Sequence, residues 1–259
     1  MPAVPRRRAR ARPPVSLPEP PWRATPRGRG QARPPLSRQI IVEAALRVLD
    51  RDGLDGLSMH RVAQEVGTGA ASLYWHVRNK DELLQLLSER LYDEVVLPRP
   101  NPARWRAQLR AVARQLRDVA HRHPDSARIT LGRLPSGPTL ARFSEWLFEL
   151  LAPLGVPDRQ IAYFADLLNL YVGAFAFEES LGLASPTGED LPFEQIVAML
   201  RTYLLSLPGE RFPYVQRAID DLFAGGHDER FAFGLDLLLR GLSTYARPAR
   251  PARRRRRPT

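Results

Sequence analysis

The 259-residue sequence contains no cysteine, which excludes disulfides, thiol nucleophiles and metal sites built on cysteine ligands. No segment alternates apolar and polar residues over a strand length, so no β-sheet is predicted. The longest nearly apolar stretch, residues 161–177, contains Asp166 and Asn169, and we expect it to be too short and too polar to cross a bilayer. The N-terminus lacks the apolar segment of a secretion signal. We therefore expect a cytoplasmic protein without a membrane partner.

Lysine is almost absent as well, because Lys80 stands alone beside 38 arginines. The arginines are unevenly placed. Residues 1–38 carry a net charge of +9 and residues 247–259 carry +7, so the intervening chain must be mildly acidic to give the total of +11. Both ends are also rich in proline and poor in large apolar residues, and we interpret 1–35 and 247–259 as disordered tails.

Two interpretations of the basic tails stay open. Clustered arginine attracts nucleic-acid phosphates without regard to sequence, which would suit an association with the nucleoid. An arginine excess with one lysine is also what a GC-rich genome produces. Five consecutive arginines at 253–257 favour a function for the C-terminal tail, because adjacent like charges repel each other.

Between the tails, nearly every segment has the periodicity of an amphipathic helix. A longer helix around Ile41–Leu49 is followed by Gly53, which we expect to stop it in a left-handed conformation. Residues 58–66 and 70–76 read as short helices, and Asn79 caps a helix that runs to about Val96. Proline or glycine separates the later segments, predicted at 103–122, 126–132, 138–152, 158–182, 193–205, 214–224 and 228–246.

Residues 58–76 have the layout of a helix-turn-helix unit. The apolar face of 59–66 can pack on Leu73, and the Gly-Thr-Gly turn at 67–69 is compact. The second short helix begins with the small residues Ala-Ala-Ser at 70–72, which allows a close approach to base edges. The pattern predicts a recognition helix for the major groove of DNA.

Several motifs here resemble the DNA-binding domain of the tetracycline-repressor (TetR) family. They are Leu-Ser-Met at 57–59, Arg-Val-Ala at 61–63, Val-Gly at 66–67 and Ser-Leu-Tyr-Trp-His-Val-Arg-Asn-Lys at 72–80. Weaker agreement around Trp105, 129–132 and 231–239 extends the resemblance to the family's C-terminal domain. The resemblance implies an all-α fold, with a DNA-binding domain at 36–97 and a ligand-binding and dimerisation domain at 98–246.

The resemblance also implies the DNA contacts. We expect Lys80 to bind a phosphate, Tyr74 and His76 to lie near the backbone, and Trp75 to be partly packed. His60 stands where relatives use arginine to read guanine, and Ala70 replaces a larger amide residue, so this operator should differ. The full expected set is Arg38, Ser58, His60, Arg61, Thr68, Gly69, Ala70, Ala71, Ser72, Tyr74, Trp75, His76, Arg78 and Lys80.

The apolar spacing of two later helices predicts a twofold dimer. Phe231 and the three leucines that follow at i+4, i+7 and i+11 form a coiled-coil-like face, and the helix from Asp158 is apolar over more than half its circumference. The alternative is that all of this surface is monomer core. The expected interface residues are Ile161, Tyr171, Val172, Leu235, Leu238 and Leu242.

We expect an apolar effector site and no cofactor or metal. Thr130 occupies the position of the family's metal-binding histidine, and Val96, Val112 and Leu116 replace its polar contacts, so a tetracycline–magnesium effector is not expected. Asn169 and Tyr171 are candidate polar contacts. Every candidate is also an ordinary core residue of a helix bundle. The set is Leu87, Val112, Leu116, Thr130, Phe143, Trp146, Leu147, Phe164, Leu168, Asn169 and Phe175.

The sequence shows no catalytic motif. His121 and His123 are two residues apart, so on a helix they point away from each other, and no nucleophile–histidine–acid set is present. We expect a homodimeric regulator of transcription that acts as a repressor and is released from a palindromic operator by a small hydrophobic effector. The alternative is an architectural DNA binder with basic tails and a vestigial sensor. Deleting both tails distinguishes the two hypotheses, since only the architectural protein would lose nearly all DNA binding.

Overall fold

The computed structural model describes residues 35–123, 125–131, 133, 136–181 and 191–246, so the C-terminal tail and all of the N-terminal tail except Pro35 lie outside the described residues. Within these ranges the regular structure is entirely helical, as the sequence predicts. Two single 3-10 turns, at Pro102–Arg104 and Ala152–Leu154, interrupt the series. The helices are α1 (Arg38–Gly56), α2 (Met59–Val66), α3 (Ala70–Tyr74), α4 (Lys80–Tyr92), α5 (Trp105–Arg122), α6 (Ser126–Thr130), α7 (Gly137–Leu151), α8 (Asp158–Leu181), α9 (Phe193–Ser206), α10 (Pro213–Arg217), α11 (Ile219–Phe223) and α12 (His227–Ser243).

Side-chain caps set the starts of three N-terminal helices. Ser37, Ser58 and Asn79 each accept the backbone N–H three residues further on, at 3.3, 3.2 and 2.8 Å. Each bond satisfies one of the amides that a helix leaves unpaired at its first turn. The predicted cap at Asn79 is confirmed.

One apolar core runs from the N-terminal helices into the C-terminal bundle. α1 packs on α2 and α4, and α6 contacts both α4 and α8, so the helices that follow residue 98 support those before it. Burying side chains of this size supplies most of the driving force for folding. Fully buried members include Ile41, Leu49, Leu73, Leu91, Leu109, Leu150 and Phe231.

Several helix boundaries differ from the sequence expectation, and three of the differences have a clear structural cause. Gly53 interrupts α1 at φ 69°, as expected, but its ψ of −179° is extended rather than left-handed helical, and one more turn follows to Gly56. α4 ends at Tyr92, because the chain turns there and buries Val95. The helix expected at 214–224 is two helices, since Ala218 leaves helical geometry at φ −96°, ψ 11°.

α8 is longer than its most apolar stretch suggested. Over Asp158–Ser180 it is long and apolar enough to cross a membrane by length and composition, so the expectation that the stretch is too short is wrong. Its apolarity has a structural cause in this fold. One face packs on α5, α6 and α12, while a second apolar face is exposed.

Candidate DNA-reading head and effector cavity

The segment 58–80, termed here the reading head, is a helix-turn-helix. Gly67 adopts the left-handed conformation (φ 76°, ψ 39°) that lets its N–H close the end of α2, a geometry that favours glycine. Gly69 has an ordinary φ of −75°, and no protein atom lies within 4 Å of a Cβ placed there. The protein itself therefore does not require the second glycine of the turn.

α3 is anchored by one side chain and exposes the rest. Leu73 is fully buried against α2, whereas Ala71 and Tyr74 are exposed and Ser72 is half-buried. Trp75 is 89% exposed, so the expectation that it is partly packed is wrong. Trp75 directly follows α3. The neighbouring residues Leu73 and Val77 are the ones whose side chains enter the core there. None of the fourteen residues expected to contact DNA is buried.

Glu82 holds two of the arginines that are expected to contact DNA, Arg38 and Arg78. Its carboxylate accepts the backbone N–H of Arg78 at 2.7 Å and the Arg78 Nε at 3.1 Å, and it lies 3.3 Å from Nη2 of Arg38. Arg38 also donates from Nε to the carbonyl of His76 at 2.8 Å. The Arg78 backbone bond and then its guanidinium hold the pKa of Glu82 below its usual range. Sequence reasoning did not include Glu82 among the expected site residues.

His60 and Gln64 lie side by side on α2, with 2.9 Å between His60 Nε2 and Gln64 Nε2. Both are exposed, one helical turn apart. Gln64 supplies the donor and acceptor pair that suits an adenine edge, and it was not among the expected contacts. The Ser58 oxygen accepts the Arg61 amide, which leaves its hydroxyl proton for a phosphate.

Substituting Lys80 by alanine should weaken binding to operator and to random duplex by the same factor. Lys80 is the first residue of α4 and is exposed, and a phosphate contact carries no sequence information. The slope of log K against log salt should fall by about 1. Fluorescence anisotropy over a salt series measures both, with Arg104→Ala in the turn before α5 as the control. An unchanged slope would show that α4 does not begin at the DNA.

An apolar cavity of about 270 Å³ lies between α5, α7 and α8, closed by the end of α4. A void of about 30 Å³ adjoins it at Leu116, Tyr92 and Asn169 and reaches α6. A mostly apolar cleft with a few polar groups is the usual form of a small-molecule site. The larger cavity is lined by Tyr92, Val112, Leu116, Leu140, Phe143, Ser144, Trp146, Leu147, Phe148, Ala162, Ala165, Asp166, Leu168 and Asn169.

The structure places most of the expected effector residues around these spaces. Seven of the eleven expected effector residues line the larger cavity, and Thr130 lines the smaller void. The expectation is wrong for the other three residues, which lie outside these two spaces. Leu87 is fully buried in the core, Phe164 packs in the same core, and Phe175 faces a separate cavity beside α9. The seven are Val112, Leu116, Phe143, Trp146, Leu147, Leu168 and Asn169.

Few polar groups face the larger cavity. The Tyr92 hydroxyl donates to Asn169 Oδ1, and burial raises the pKa of Tyr92 to about 12. The Trp146 Nε1 donates to the Pro98 carbonyl at 2.7 Å. Tyr92 was missed at the sequence level, because its position was assigned to the interior of a longer connecting helix.

Most of the residues expected at a dimer interface lie inside the protomer. Ile161, Val172, Leu235 and Leu242 are all buried inside the protomer, so they cannot meet a partner. Leu238 is partly buried against the same core. Tyr171 is held between α8 and α12, where its hydroxyl donates to the Phe231 carbonyl at 2.7 Å and its ring stacks at 5.5 Å on that residue.

A different set of large apolar side chains is exposed on the same two helices. Tyr171 lies beside Phe231, and Phe175 lies beside both Phe231 and His227, so α8 and α12 run antiparallel. Both helices turn their buried residues toward the core, and their other faces therefore share one surface. We call it the exposed stripe: Tyr163 (67% exposed), Leu167 (47%), Leu170 (46%), Phe233 (67%) and Leu237 (53%).

A buried ion pair joins α5, α8 and α12. Arg117 donates to both oxygens of Glu179 at 2.5 and 2.8 Å and to Asp228 at 2.7 Å, and the Arg117 and Glu179 side chains are only 9% and 8% exposed. His121 and His227 also contact Glu179. Burial alone would raise the pKa of Glu179, but the Arg117 and His121 bonds lower it overall. The cluster was not predicted, because its members are 62 and 111 residues apart.

A helix-turn-helix head joined by one helix to a bundle with an apolar cavity defines the class of ligand-responsive DNA-binding regulators. Comparison of the chain with known protein families identifies the particular family. The family described as bacterial regulatory proteins, tetR family, matches residues 41–87, and the tetracyclin repressor-like C-terminal domain matches residues 97–246.

Three relatives show the similarity over most of the chain. The repressor DrrR1 of Streptomyces coeruleorubidus is 34% identical over 211 residues, covering 78% of this chain and 75% of that protein. The Escherichia coli tetracycline repressor class D is 35% identical over 210 residues, with 80% and 88% covered. Apo ActR of Streptomyces coelicolor superposes with a TM-score of 0.75 at 39% identity, covering 83% of this chain and 98% of ActR. ActR has also been crystallised with actinorhodin (TM-score 0.73, 40% identity, 82% and 97% covered).

The chain therefore belongs to the tetR family and is a DNA-binding regulator of transcription, not an enzyme. Regulators of this family are soluble cytoplasmic proteins. The resemblance found in the sequence is confirmed, as is the all-helical fold.

Proposed function

We propose that the protein is a homodimeric repressor that binds a palindromic operator in the nucleoid and leaves it when an apolar small molecule fills the 270 Å³ cavity. One observation carries this proposal. α4 begins with Lys80 in the reading head and ends with Tyr92 in the cavity wall. A change in the cavity therefore acts on the reading head through a single rigid element.

The exposed stripe supports the dimer. Five large apolar side chains on one surface are costly to leave in water, and a second copy of the same surface covers them under twofold symmetry. A symmetric pair of reading heads then fits two half-sites about 34 Å apart, one turn of the duplex. The inverted repeat of the operator follows from that symmetry.

α6 supplies a second connection between cavity and head. Ser126, Ala127 and Thr130 line the void beside the cavity. At the start of α6, Asp125 Oδ2 accepts the Leu54 N–H of α1 at 2.9 Å, and Arg128 lies 3.3 Å from Asp55. A ligand that displaces α6 therefore pulls on the end of α1.

The cavity wall supports an effector that binds without magnesium. The three positions that carry polar tetracycline contacts in the family are apolar here, Val96, Val112 and Leu116, and the last two line the cavity. Thr130, in the place of the metal-binding histidine, donates its hydroxyl to the helix carbonyls of Ser126 and Ala127. The actinorhodin complex of ActR supports a small-molecule effector for this branch.

Two experiments test the function. Selection from a randomised duplex pool should return an inverted repeat, and failure to return one at any salt concentration would contradict the proposal. A thermal-shift screen of apolar compounds should then find ligands that raise the melting temperature and lower operator affinity. The variant Ala165→Trp, which occupies part of the cavity from α8, should lose the response to those ligands.

Substituting Asp125 by alanine should lower the free energy of unfolding by about 1.5–3 kcal/mol, the range for a hydrogen bond with one charged partner. The change removes the acceptor of the Leu54 amide. Asp125 also has a positive φ of 64°, which asparagine tolerates, so Asp125→Asn should keep most of the stability. Urea unfolding compares the two variants, and equal losses would show that the Leu54 bond contributes nothing.

A further inference from the structure

Glu82 is an acidic side chain on a surface that is expected to meet DNA phosphates. It lies in the first turn of α4, two residues after Lys80 and four after Arg78. A carboxylate so close to a duplex is repelled by the phosphates, so its charge taken alone weakens DNA binding. The contacts of Glu82 indicate a compensating role.

The Glu82 carboxylate joins three segments of the DNA-binding domain. In the loop between α3 and α4, Arg78 donates to Oε2 from its backbone N–H at 2.7 Å and from its Nε at 3.1 Å. Nη2 of Arg38, the first residue of α1, lies 3.3 Å from Oε1. Arg38 also donates from Nε to the His76 carbonyl at 2.8 Å. The network therefore fixes the start of α1, the loop after α3 and the start of α4 relative to one another.

Both arginines keep donors for a phosphate. The side chains of Arg78 and Arg38 are 85% and 62% exposed, whereas that of Glu82 is only 17% exposed. A guanidinium carries five N–H donors. The bonds to Glu82 and His76 use one of these donors in Arg78 and two in Arg38, so each guanidinium can still bind a phosphate oxygen. The network orders two long side chains before DNA arrives, and that ordering would otherwise be an entropic cost of binding.

We propose that Glu82 is a positioning residue for DNA binding, which holds Arg38 and Arg78 ready to contact phosphates beside α3. The gain from two ordered arginines exceeds the repulsion of one carboxylate, because salt screens that repulsion. Glu82 therefore strengthens binding although its charge has the wrong sign. The inference rests on the proposed binding of the reading head to DNA and adds a residue that is not itself a DNA contact.

The sign of the effect of Glu82→Ala tests this role. The substitution raises the net charge by one, so electrostatics alone would tighten binding to every duplex. Loss of the ordered arginines should instead lower the affinity for a random-sequence duplex by roughly tenfold. Fluorescence anisotropy on the full-length protein measures this affinity. A random duplex is sufficient because phosphate contacts carry no sequence information.

Asp81→Ala is the matched control. Asp81 is the neighbouring acid in the same turn of α4, its side chain is 89% exposed, and it lies 3.7 Å from Nη2 of Arg133. The control removes the same charge without touching the arginine network, so it should leave the affinity unchanged or raise it. A loss of affinity as large as that of Glu82→Ala would show that either acid merely stabilises the start of α4, and it would overturn the proposal.

A second comparison isolates the two arginines. In a protein that carries Arg38→Ala and Arg78→Ala, Glu82 has no arginine side chain to position. Adding Glu82→Ala to that protein should therefore raise the affinity, since only the repulsion of the carboxylate is removed. A purely structural role would give the same loss in both backgrounds. Such an equal loss overturns the proposal, as does tighter binding by the single variant Glu82→Ala.

Folding and repressor function are checked separately. Circular dichroism and the melting temperature show whether each variant is folded at the assay temperature. If Glu82→Ala is not, it is replaced by Glu82→Gln, which keeps an oxygen for the Arg78 N–H but loses the ion pairs, with the same expected sign. Failure to select an inverted repeat would contradict the repressor and leave this inference standing, because the random duplex is used throughout. A failed sign test would leave the repressor intact.

Discussion

Replacing Leu237 with glutamate should convert the protein to a monomer and lower operator affinity by roughly 100-fold or more, the usual gain from coupling two binding events. Leu237 is 53% exposed at the centre of the α12 part of the exposed stripe. A carboxylate there would have to leave water when the two stripes meet, and a buried unpaired charge is not tolerated. Each reading head would then bind its half-site alone.

Sedimentation velocity and operator titration measure the two effects on one sample. The matched control is Ala111→Glu, which places the same charge at an exposed position of α5 that is not part of the exposed stripe. It should remain dimeric and bind operator as the wild type does. A Leu237→Glu protein that stays dimeric would show that the partner covers a different surface.

Replacing Arg117 with methionine should lower the free energy of unfolding by about 3–5 kcal/mol, because it leaves the buried Glu179 carboxylate without its main partner. The guanidinium also lies 4.8 Å from the Phe231 ring centroid and 5.4 Å from that of Phe175, and these contacts are lost with it. The double variant Arg117→Met with Glu179→Leu should recover a large part of the loss, since it removes the stranded charge. Urea unfolding compares all three proteins, and a double variant no more stable than Arg117→Met would contradict this reading.

The Arg117–Glu179 pair should also make the stability of the protein fall at low pH. The pKa of Glu179 is lower in the folded protein than its ordinary value of 4.5. Its contribution to stability is therefore fully present above that value, and it is lost as pH falls below it and through the lower folded pKa. The wild-type protein should lose more stability than the double variant between about pH 5 and pH 3. Equal losses would mean that other carboxylates dominate.

The reading head was largely predictable because its signals are local. Cap residues, the Gly67 turn and the buried Leu73 all lie within about twenty residues, and their geometry follows from backbone chemistry. The exposure of Trp75 was not predictable. An aromatic residue at the end of a short helix has the same local pattern whether it packs or points to solvent, and the surrounding helices decide which.

The interface residues show a limit of periodicity. α8 is apolar on two faces, and the repeat alone does not reveal which face meets the protomer core and which is exposed. Ile161 and Val172 belong to the first face and Leu167 to the second. The distinction comes from the antiparallel contact with α12, which forms between residues about 60 apart in the chain.

The cavity was partly predictable for a related reason. Phe143 and Trp146 on α7 and Leu168 on α8 were among the expected effector residues, and these line it. Tyr92 and the Arg117–Glu179 pair were missed, since their roles depend on partners that are distant in the chain. Long-range polar pairs leave no periodic signal in the sequence.

The account depends most on α3 fitting a duplex groove and being presented twice by a symmetric pair. Hydroxyl-radical footprinting on the selected operator tests this directly, with stoichiometry from sedimentation of the same complex. We predict two protected windows on one face of the duplex, about 34 Å apart between centres, with two chains bound. A single window, or one chain per operator, would contradict it.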